Sequence, residues 1–489
     1  MSSKRKPADV ESARKKPKNS KNGKKKKQEE EEESDFEEQP SSGEEEKASD
    51  NEAEHYSDDE DSNLKIKGPE LAGQLLLMGG MNWDLNGRKQ VPVNGKANVG
   101  RNLYEPHIFG PLYESRVKVA VSSSCSAHNV VITEDNKCFT FGRNEKGQLG
   151  TGNTERRDQP FEPEELKNLV VVNAAVGKNH TLFLTERGHV YACGDNQFGQ
   201  CGIKSKQATV LTPTRIKYSG PPIVKIGCGG DFSMILNIKG VLYSFGLPEY
   251  GQLGLGATGE YIQTAGKVMY NCERAPVAIK GYIEKGKDNH PKVVEVTDIV
   301  DFSCGPNHTV ALDSQKRAFS WGYGAYGRLG HADNKDELLP RLIKFFDSQN
   351  RGVKAVYCGA TYTFAINDLG QTFLFGVTKK TGEANMYPKP FHDLSGWNVR
   401  SIGCAQTSVV VAADETTIVW GSAPCYGELG LGDERKSAAS PVENKLLAKT
   451  HIHSVSCGIC HTLLIARNDT EEEKDGIADR FDEYEAPKP

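Results

Sequence analysis

Long apolar segments are missing from this sequence. No run reaches the roughly 18 apolar residues that a membrane-spanning helix requires. The first residues are basic, and no apolar segment of the secretory type follows them. We therefore expect a protein that is neither secreted nor membrane-spanning, whose 12 cysteines belong to a reducing compartment.

Recognisable catalytic groupings are also missing. The chain shows no Ser/His/Asp set, no paired carboxylates and no phosphate-cradling loop that stands apart from its internal repeat. These absences exclude the usual patterns of hydrolases and phosphotransferases. We therefore predict that the protein is not a bond-making enzyme and that it uses no cofactor and no metal.

What the chain does contain is an internal repeat of about 50 residues, rich in glycine. Each unit carries two anchor positions with fixed spacing. The first anchors are His128, His180, Phe232, His308, Tyr362, Thr407 and His461. The second anchors, each 14 residues after its partner, are Gly142, Gly194, Gly246, Gly322, Gly376 and Gly421.

Each repeat unit reads as a set of short β-strands. Residues 180–194 form a hairpin pattern with Arg187-Gly188 at the turn, another strand precedes it, and a Gly-rich loop such as 199–202 follows it. Three to four strands in roughly 50 residues make one propeller blade. The fold class is therefore all-β, and we predict a seven-bladed β-propeller over residues 64–468.

The two ends of the repeat region are incomplete in complementary ways. Segment 74–78 leads into Gly79-Gly80, which resembles a second anchor without a first. Segment 462–466 follows His461 and has no hairpin partner downstream. Pairing the two strands would close the ring and leave no exposed edge. We expect this circular closure, followed by a flexible C-terminal tail over 469–489.

Three tempting chemical motifs fall inside the repeat. Residues 457–461 match a c-type haem attachment pattern, but the repeat aligns them with 304–308. Residues 322–327 match a dinucleotide fingerprint, but no helix pattern follows them. The anchor histidines would lie one per blade, far apart. We interpret them as hydrogen-bonded groups inside the blades.

One repeat contains an insertion. The second anchors Gly246 and Gly322 are 76 residues apart, against 52 for their neighbours, so about 24 residues are extra, roughly within 257–296. Long loops on rigid scaffolds often carry binding sites. The candidate partner-binding residues are Lys285, Lys287, Asp288, Asn289, His290 and Lys292. A solvated loop without a partner is the alternative, and the interface would then lie in inter-glycine loops such as 195–196 and 249–250.

Residues 1–62 differ in character from the rest. Positions 1–27 hold 12 Lys/Arg against Asp9 and Glu11, a net charge of +10, and positions 28–62 hold one lysine against 18 acidic residues, a net charge of −17. Blocks of like charge with few apolar residues predict a disordered, basic-then-acidic arm. The candidates for a nuclear-import or nucleic-acid patch are Lys4, Arg5, Lys6, Arg14, Lys15, Lys16, Lys18, Lys24, Lys25, Lys26 and Lys27.

The acidic half of this arm carries four candidate phosphorylation sites. Ser34, Ser42, Ser49 and Ser57 each precede acidic residues, a pattern typical of acidophilic-kinase sites. Phosphates there would deepen the negative charge. The acidic block could fold back on the basic block or bind histones. For the basic patch, the alternative to nuclear import or nucleic-acid binding is a merely solubilising tail.

The repeat resembles the regulator of chromosome condensation family. The resemblance rests on two motifs: Gly-x-x-x-x-Gly-Gln-Leu-Gly, as in 142–150, and Cys-Gly-x-x-His, as in 304–308. Longer stretches narrow the resemblance to one member of the family: 245–254, 312–317, 82–84 and 386–388. Two departures stand out. The family's nucleotide-exchange residues have no motif-matched positions here, and the fifth repeat is degenerate at 378–382.

The resemblance implies a propeller that binds Ras-superfamily small GTPases of the Rac, Ral or Arf type, with guanine-nucleotide exchange as one activity. It implies roles at the mitotic spindle and centromere, in cell division, and in adhesion or migration. It also implies a nuclear and nucleolar location in interphase, centromere, spindle and midzone in mitosis, and some cytoplasmic protein. We expect a monomer.

The alternative function is a non-catalytic scaffold. It would link chromatin or microtubules to mitotic partners such as the chromosomal passenger complex. The basic arm would then supply salt-sensitive contacts to acidic surfaces, including weak contacts to nucleic acid.

Overall fold

The computed structural model describes residues 64–90, 100–286, 290–379, 383–421 and 426–488. The predictions about the charged arm, including its lysine patch and its four serines, therefore fall outside the described residues. Across the described ranges, no helix combines the length and the apolar character needed to cross a bilayer.

In the described residues, seven sheets each contain four main antiparallel strands and form the blades, numbered here 1 to 7. The first, innermost strands are Val117–Val121, Val171–Val176, Ile223–Cys228, Ile299–Cys304, Val353–Cys358, Val399–Cys404 and Ile452–Cys457. The second strands are His128–Thr133, His180–Thr185, Phe232–Asn237, His308–Asp313, Tyr362–Asn367, Ser408–Ala413 and His461–Ala466.

The outer half of each blade comes from its third and fourth strands. The third strands are Cys138–Gly142, Val190–Asp195, Leu242–Gly246, Ala318–Gly322, Thr372–Gly376, Thr416–Gly421 and Gln74–Gly80. The fourth strands are Arg157–Phe161, Thr209–Arg215, Glu273–Ala278, Glu337–Leu342, Asn385–Pro390, Ala438–Glu443 and Asn102–Phe109. The prediction of a seven-bladed β-propeller is confirmed.

The remaining elements are short. Among the described residues, three further strands extend blade sheets: Ile283–Lys285, Pro291–Val293 and Glu483–Tyr484. Two more, Glu260–Gln263 and Lys267–Tyr270, pair only with each other. One α-helix spans Glu471–Ala478. Single 3-10 turns are Gly110–Leu112, Glu164–Leu166, Thr264–Gly266, Ala325–Gly327, His392–Leu394 and Lys445–Leu447.

Blade 7 is assembled from both ends of the repeat region. Gln74–Gly80 pairs antiparallel with His461–Ala466, with Leu75 opposite Ile465 and Leu77 opposite Leu463. Every residue of Gln74–Gly80 is buried. The predicted circular closure is therefore confirmed, and it buries an apolar strand that the rest of the ring would otherwise leave unpaired.

The hairpins between second and third strands follow one design in five blades and another in blade 6. In the common design the anchors pair directly, as His180 does with Gly194, and one turn residue has a positive φ. This residue is a glycine in blades 2, 3 and 5, such as Gly188 with φ 74°, and it is Asn136 or Lys316 in blades 1 and 4. In blade 6, Ser408 pairs with Gly421 across a two-residue turn. The predicted anchor Thr407 is therefore wrong by one residue, because this hairpin is one residue shorter.

The C-terminal segment differs from the expected flexible tail. Its helix begins with a capping box between Thr470 and Glu473. Its strand pairs in parallel with the outer strand of blade 7, with Tyr484 opposite Phe109. Ile477, Phe481 and Tyr484 are at most 5% exposed. Burial of these apolar side chains stabilises the docked segment, which covers the edge of blade 7.

The seven blades have two distinct ends. We call the end at which second strands begin and third strands finish the loop face, and the opposite end, with the second-to-third turns, the turn face. The loop face carries the Gly-rich loops between third and fourth strands. The turn face carries the connectors from each fourth strand to the next blade.

Candidate partner-binding surface

The anchor histidines join neighbouring blades near the loop face. Each Nε2 contacts a polar side chain of the next blade. These contacts are His128 to Thr181 Oγ1 (2.9 Å), His180 to Ser233 Oγ (2.9 Å), His308 to Thr363 Oγ1 (3.0 Å) and His461 to Asn129 Oδ1 (2.6 Å). The hydroxyl of Thr181 in turn donates to the carbonyl of Gln148 (2.7 Å), so His128 donates through Nε2. The histidines therefore fasten blades together.

Burial keeps these imidazoles neutral. Desolvation lowers the pKa of His128, His180 and His461 to about 3. The glycine three residues before the anchor lies against the ring, since a Cβ on Gly177 would come within 2.1 Å of His180 Cε1. The Cys-Gly-x-x-His pattern thus reflects close packing. The interpretation of these histidines as buried, hydrogen-bonded structural groups is confirmed, but their Nε2 hydrogen bonds reach the next blade and do not stay inside one blade.

The Gly-rich loops are also structural at their repeated positions. The side chain of the glutamine closes its own loop, as Gln148 accepts from the Lys146 amide (2.8 Å) and Gln252 from the Tyr250 amide (2.7 Å). The following leucines, such as Leu149, are buried. Repeated residues therefore hold the loops in place, and only residues that vary from blade to blade are free to contact a partner.

Those predicted binding residues that the structure describes, Lys285, His290 and Lys292, lie at a hairpin on the outer edge of blade 4. Ile283–Lys285 pairs with Pro291–Val293 and, through Ile283, with Arg341 of the outer strand. Lys285 contacts Glu337 at 2.6 Å, and Arg341 contacts the same carboxylate at 2.7 Å. Glu337 is only 3% exposed. Lys285 is therefore engaged inside the protein, where it balances a buried charge.

The rest of the predicted set divides into two groups. His290 and Lys292 are exposed on this hairpin. Lys287, Asp288 and Asn289 lie outside the described residues. The partner-binding role of this segment stays a prediction, and it depends on side chains other than Lys285.

The insertion contains a second hairpin that sequence reasoning missed. Glu260–Gln263 pairs with Lys267–Tyr270 in a two-stranded sheet that joins no blade. The outer strand of blade 3, Glu273–Ala278, follows it, so the blade does need part of the 257–296 region. The missed signal was the pattern of Tyr261, Ile262, Val268 and Met269 on either side of a Thr-Ala-Gly turn.

This second hairpin exposes apolar side chains on the loop face. The exposed fractions are 42% for Tyr261, 74% for Ile262 and 45% for Val268. Two-stranded hairpins are marginally stable alone, and exposed apolar clusters commonly mark interaction sites. We call residues 260–270 the apolar hairpin.

An aromatic group lies between the base of the apolar hairpin and blade 4. Tyr270 Oη lies 3.4 Å from Glu249 Oε1, and the rings of Tyr250 and Tyr323 lie 4.5 Å apart. The guanidinium of Arg328 lies 4.7 Å from the centre of the Tyr323 ring. Tyr326 is 54% exposed and has φ 63°, a conformation that a tyrosine rarely adopts. The apolar hairpin and these aromatic residues make up the candidate surface.

The surface has mixed charge and no metal-binding arrangement. Burial raises the pKa of Asp231, close to Asp195 and Glu249 of the neighbouring loops, while Lys178 opposes that rise. In the part of the chain that the structure describes, no three His, Cys, Asp or Glu side chains come together as a metal-binding set. Such a surface suits recognition of another protein, with apolar contacts at its centre and charges around them.

Comparison with known proteins gives a consistent picture. Residues 74–466 match the RCC1-like domain. The chain is 48% identical to the RCC2 homologue of Danio rerio over 426 residues, 86% of each protein. It is 48% identical to RCC2 of Homo sapiens over 417 residues, 85% of this chain and 80% of that protein.

Solved structures show the same fold at lower identity. Yeast RCC1 (Prp20) bound to Kap60 aligns with a TM-score of 0.64 and 17% identity, covering 90% of this chain and 99% of that one. Human WBSCR16 aligns with a TM-score of 0.63 and 22% identity, covering 81% of this chain and 100% of that one. These structures confirm the fold, and the RCC2 relatives at 48% identity confirm the predicted member of the family.

Proposed function

The chain belongs to the RCC1-like domain family as a homologue of RCC2, and from this premise we propose that it binds Ras-superfamily small GTPases through its loop face. The resemblance supports a GTPase of the Rac, Ral or Arf type. The yeast protein Prp20p, whose crystal structure has the same fold, has described binding properties to Gsp1p and histones. The observation that carries the proposal for this chain is the apolar hairpin, with Ile262 74% exposed.

Nucleotide exchange would follow from differential binding. A propeller that holds the nucleotide-free GTPase more tightly than the loaded form accelerates release without making or breaking bonds. The apolar hairpin suits this role because it projects from a rigid ring and carries its own contact residues. The mechanism needs no cofactor.

The decisive assay measures release of fluorescent mant-GDP from purified Rac, Ral, Arf and Ran in the presence of the full chain. Acceleration on at least one GTPase supports exchange activity. Binding without acceleration on any of the four supports the scaffold function. If the chain neither binds any of the four GTPases nor accelerates their nucleotide release, the proposal is contradicted.

The scaffold function has its own support in the charged arm, whose first 27 residues carry a net charge of +10. Such a segment makes salt-sensitive contacts with acidic partners, including chromatin. We propose that this arm directs the protein to the nucleus in interphase and to centromere, spindle and midzone in mitosis. Deleting residues 1–62 should abolish nuclear accumulation and leave the melting temperature within about a degree, because disordered segments make few stabilising contacts. Nuclear concentration of the truncated protein would refute the import role.

A further inference from the structure

Three junctions between blades at the turn face are filled by large side chains, whereas the junction of blades 5 and 6 contains a cavity. In blade 2, the space between the turn at Gly188, the outer strand and the next blade is filled by Tyr218, leaving about 20 Å³. Tyr218 packs on Tyr243 at 5.2 Å and accepts a hydrogen bond from Asn237 Nδ2 at 3.1 Å. The seam there is solid.

Other junctions are filled by different residues to the same effect. At the junction of blades 4 and 5, Phe345 and Phe346 pack on Phe373 at 5.3 and 5.6 Å. At the connector after blade 6, Arg480 of the C-terminal segment donates to the carbonyl of Leu446 (2.6 Å) and to Thr450 Oγ1 (2.9 Å). Different side chains thus fill the equivalent space between neighbouring blades at these junctions.

At the junction of blades 5 and 6 the equivalent space is open, with a volume of about 470 Å³. The connector 391–398 brings Ser395 and Gly396 to the place where the other connectors supply large side chains. A cavity of this size is in the range of sites that hold small ligands or side chains of a bound peptide.

The walls of the cavity combine apolar surface with positive charge. Leu369, at the turn between the second and third strands, is 67% exposed. Trp397 and Phe391 are half-buried and line the cavity. Lys354 and His392 are the ionisable side chains in the lining, which contains no carboxylate. The exposed Lys354 makes no ion pair within the described ranges, whereas Lys316 close by is engaged with Asp368 at 2.8 Å.

One wall is polar at a position where blades 2 and 3 are apolar. Thr372 is 5% exposed, lines the cavity, and its Oγ1 has no hydrogen-bond partner among the described residues. The equivalent residues of blades 2 and 3 are Val190 and Leu242, and blade 6 has Thr417, whose Oγ1 is also unpartnered. A buried hydroxyl without a partner is costly, and in blade 5 it lies beside an open cavity.

We propose that this junction binds an acidic peptide segment of a partner protein. One large apolar side chain of the peptide enters the cavity against Leu369 and Trp397, and a neighbouring carboxylate pairs with Lys354. Complementary charge favours an acidic ligand over a basic one, and the apolar walls supply the anchor. The site lies at the turn face and is independent of the GTPase surface on the loop face.

The test uses fluorescein-labelled 12-residue peptides and the full chain at low ionic strength. One series places leucine, phenylalanine or tryptophan between aspartates. A second series replaces the aspartates by lysines, and a third replaces the apolar residue by alanine. Fluorescence anisotropy gives Kd for each. We expect micromolar binding by at least one acidic peptide with an apolar anchor, and at least tenfold weaker binding by its lysine and alanine versions.

Variants then locate the bound peptide. Lys354→Glu and Leu369→Asp, both at exposed positions, should each weaken binding at least tenfold. Lys217→Glu, beside the closed junction of blade 2, and Ile238→Asp, an exposed apolar residue in the blade 3 turn, are the matched controls and should bind like the wild type. Unchanged thermal melting checks folding in all four.

The proposal fails if no acidic peptide binds below about 1 mM, if lysine and aspartate versions bind equally, or if Lys354→Glu and Leu369→Asp leave Kd unchanged.

Discussion

Side chains have opposite roles in two regions of the molecule: the contacts between neighbouring blades, which we call the seam, and the apolar hairpin. In the seam, His180 is fully buried, hydrogen-bonded to Ser233 and tightly covered by Gly177. In the apolar hairpin, Ile262 is 74% exposed and belongs to a two-stranded sheet that pairs with no blade. The comparison teaches that repeated residues stabilise the ring and that inserted residues are available to partners. Stability and binding should therefore respond to different substitutions.

The largest effect on the seam should come from removing the closing strand. Deleting residues 64–80 leaves His461–Ala466 with one unpaired edge and exposes the apolar surface beneath it. We expect an aggregated product without a cooperative unfolding transition, detected by size-exclusion chromatography and thermal denaturation. A soluble monomer with an unchanged unfolding midpoint would show that the closure contributes little.

A smaller effect should come from a single methyl group in the seam. In Gly177→Ala the new Cβ would lie 2.1 Å from His180 Cε1, so the blade must shift. Overpacking of this kind lowers the free energy of unfolding by about 1–3 kcal/mol. Gly476→Ala is the control: nothing lies within 4 Å of its Cβ, and helix propensity should stabilise it by up to about 1 kcal/mol. Equal unfolding free energies for the two variants, measured in urea, would contradict the close contact.

The free energy of unfolding should depend on pH because each buried histidine takes up one proton when the chain unfolds in mild acid. His180 has a pKa of about 3 when folded, against an ordinary value of 6.5, so the unfolded chain binds the extra proton between these values. Stability from this group is therefore complete above pH 6.5 and falls as the pH drops towards 3. His180→Phe, the residue type that blade 3 uses at Phe232, should reduce the proton uptake on unfolding by about one between pH 4 and 6. An unchanged slope of unfolding free energy against pH would mean that His180 titrates normally.

How far the sequence predicts this molecule depends on whether a residue is repeated. Spacing alone places the second strands and the closing pair, because every blade must present the same anchors to its neighbours. It misplaces Thr407, since a hairpin shortened by one residue leaves no mark in composition. It also misses the docked C-terminal segment, whose Ile477, Phe481 and Tyr484 occur once and have no counterpart in the repeat.

The candidate surface was less accessible to sequence reasoning for the same reason. Charge along 284–292 favoured a solvated binding loop, but the contact between Lys285 and Glu337 joins residues 52 positions apart. No local pattern announces such a pair. The apolar hairpin did leave a local signal, yet an apolar strand is exposed or buried only according to what the fold places against it. Exposure of Ile262 became visible only in three dimensions.

The separation of seam and surface is tested most directly by one pair of substitutions in the insertion. Ile262→Asp removes the most exposed apolar side chain of the apolar hairpin, and Val293→Asp does the same on the neighbouring hairpin, where Val293 is 87% exposed. Kd for a GTPase that the wild type binds and the melting temperature are measured for both. We predict that Ile262→Asp weakens binding at least tenfold, that Val293→Asp leaves it unchanged, and that both melt within about a degree of the wild type, since surface substitutions rarely alter stability by more than about 0.5 kcal/mol. Wild-type affinity in Ile262→Asp, or a binding loss that appears only together with a lowered melting temperature, would contradict the account.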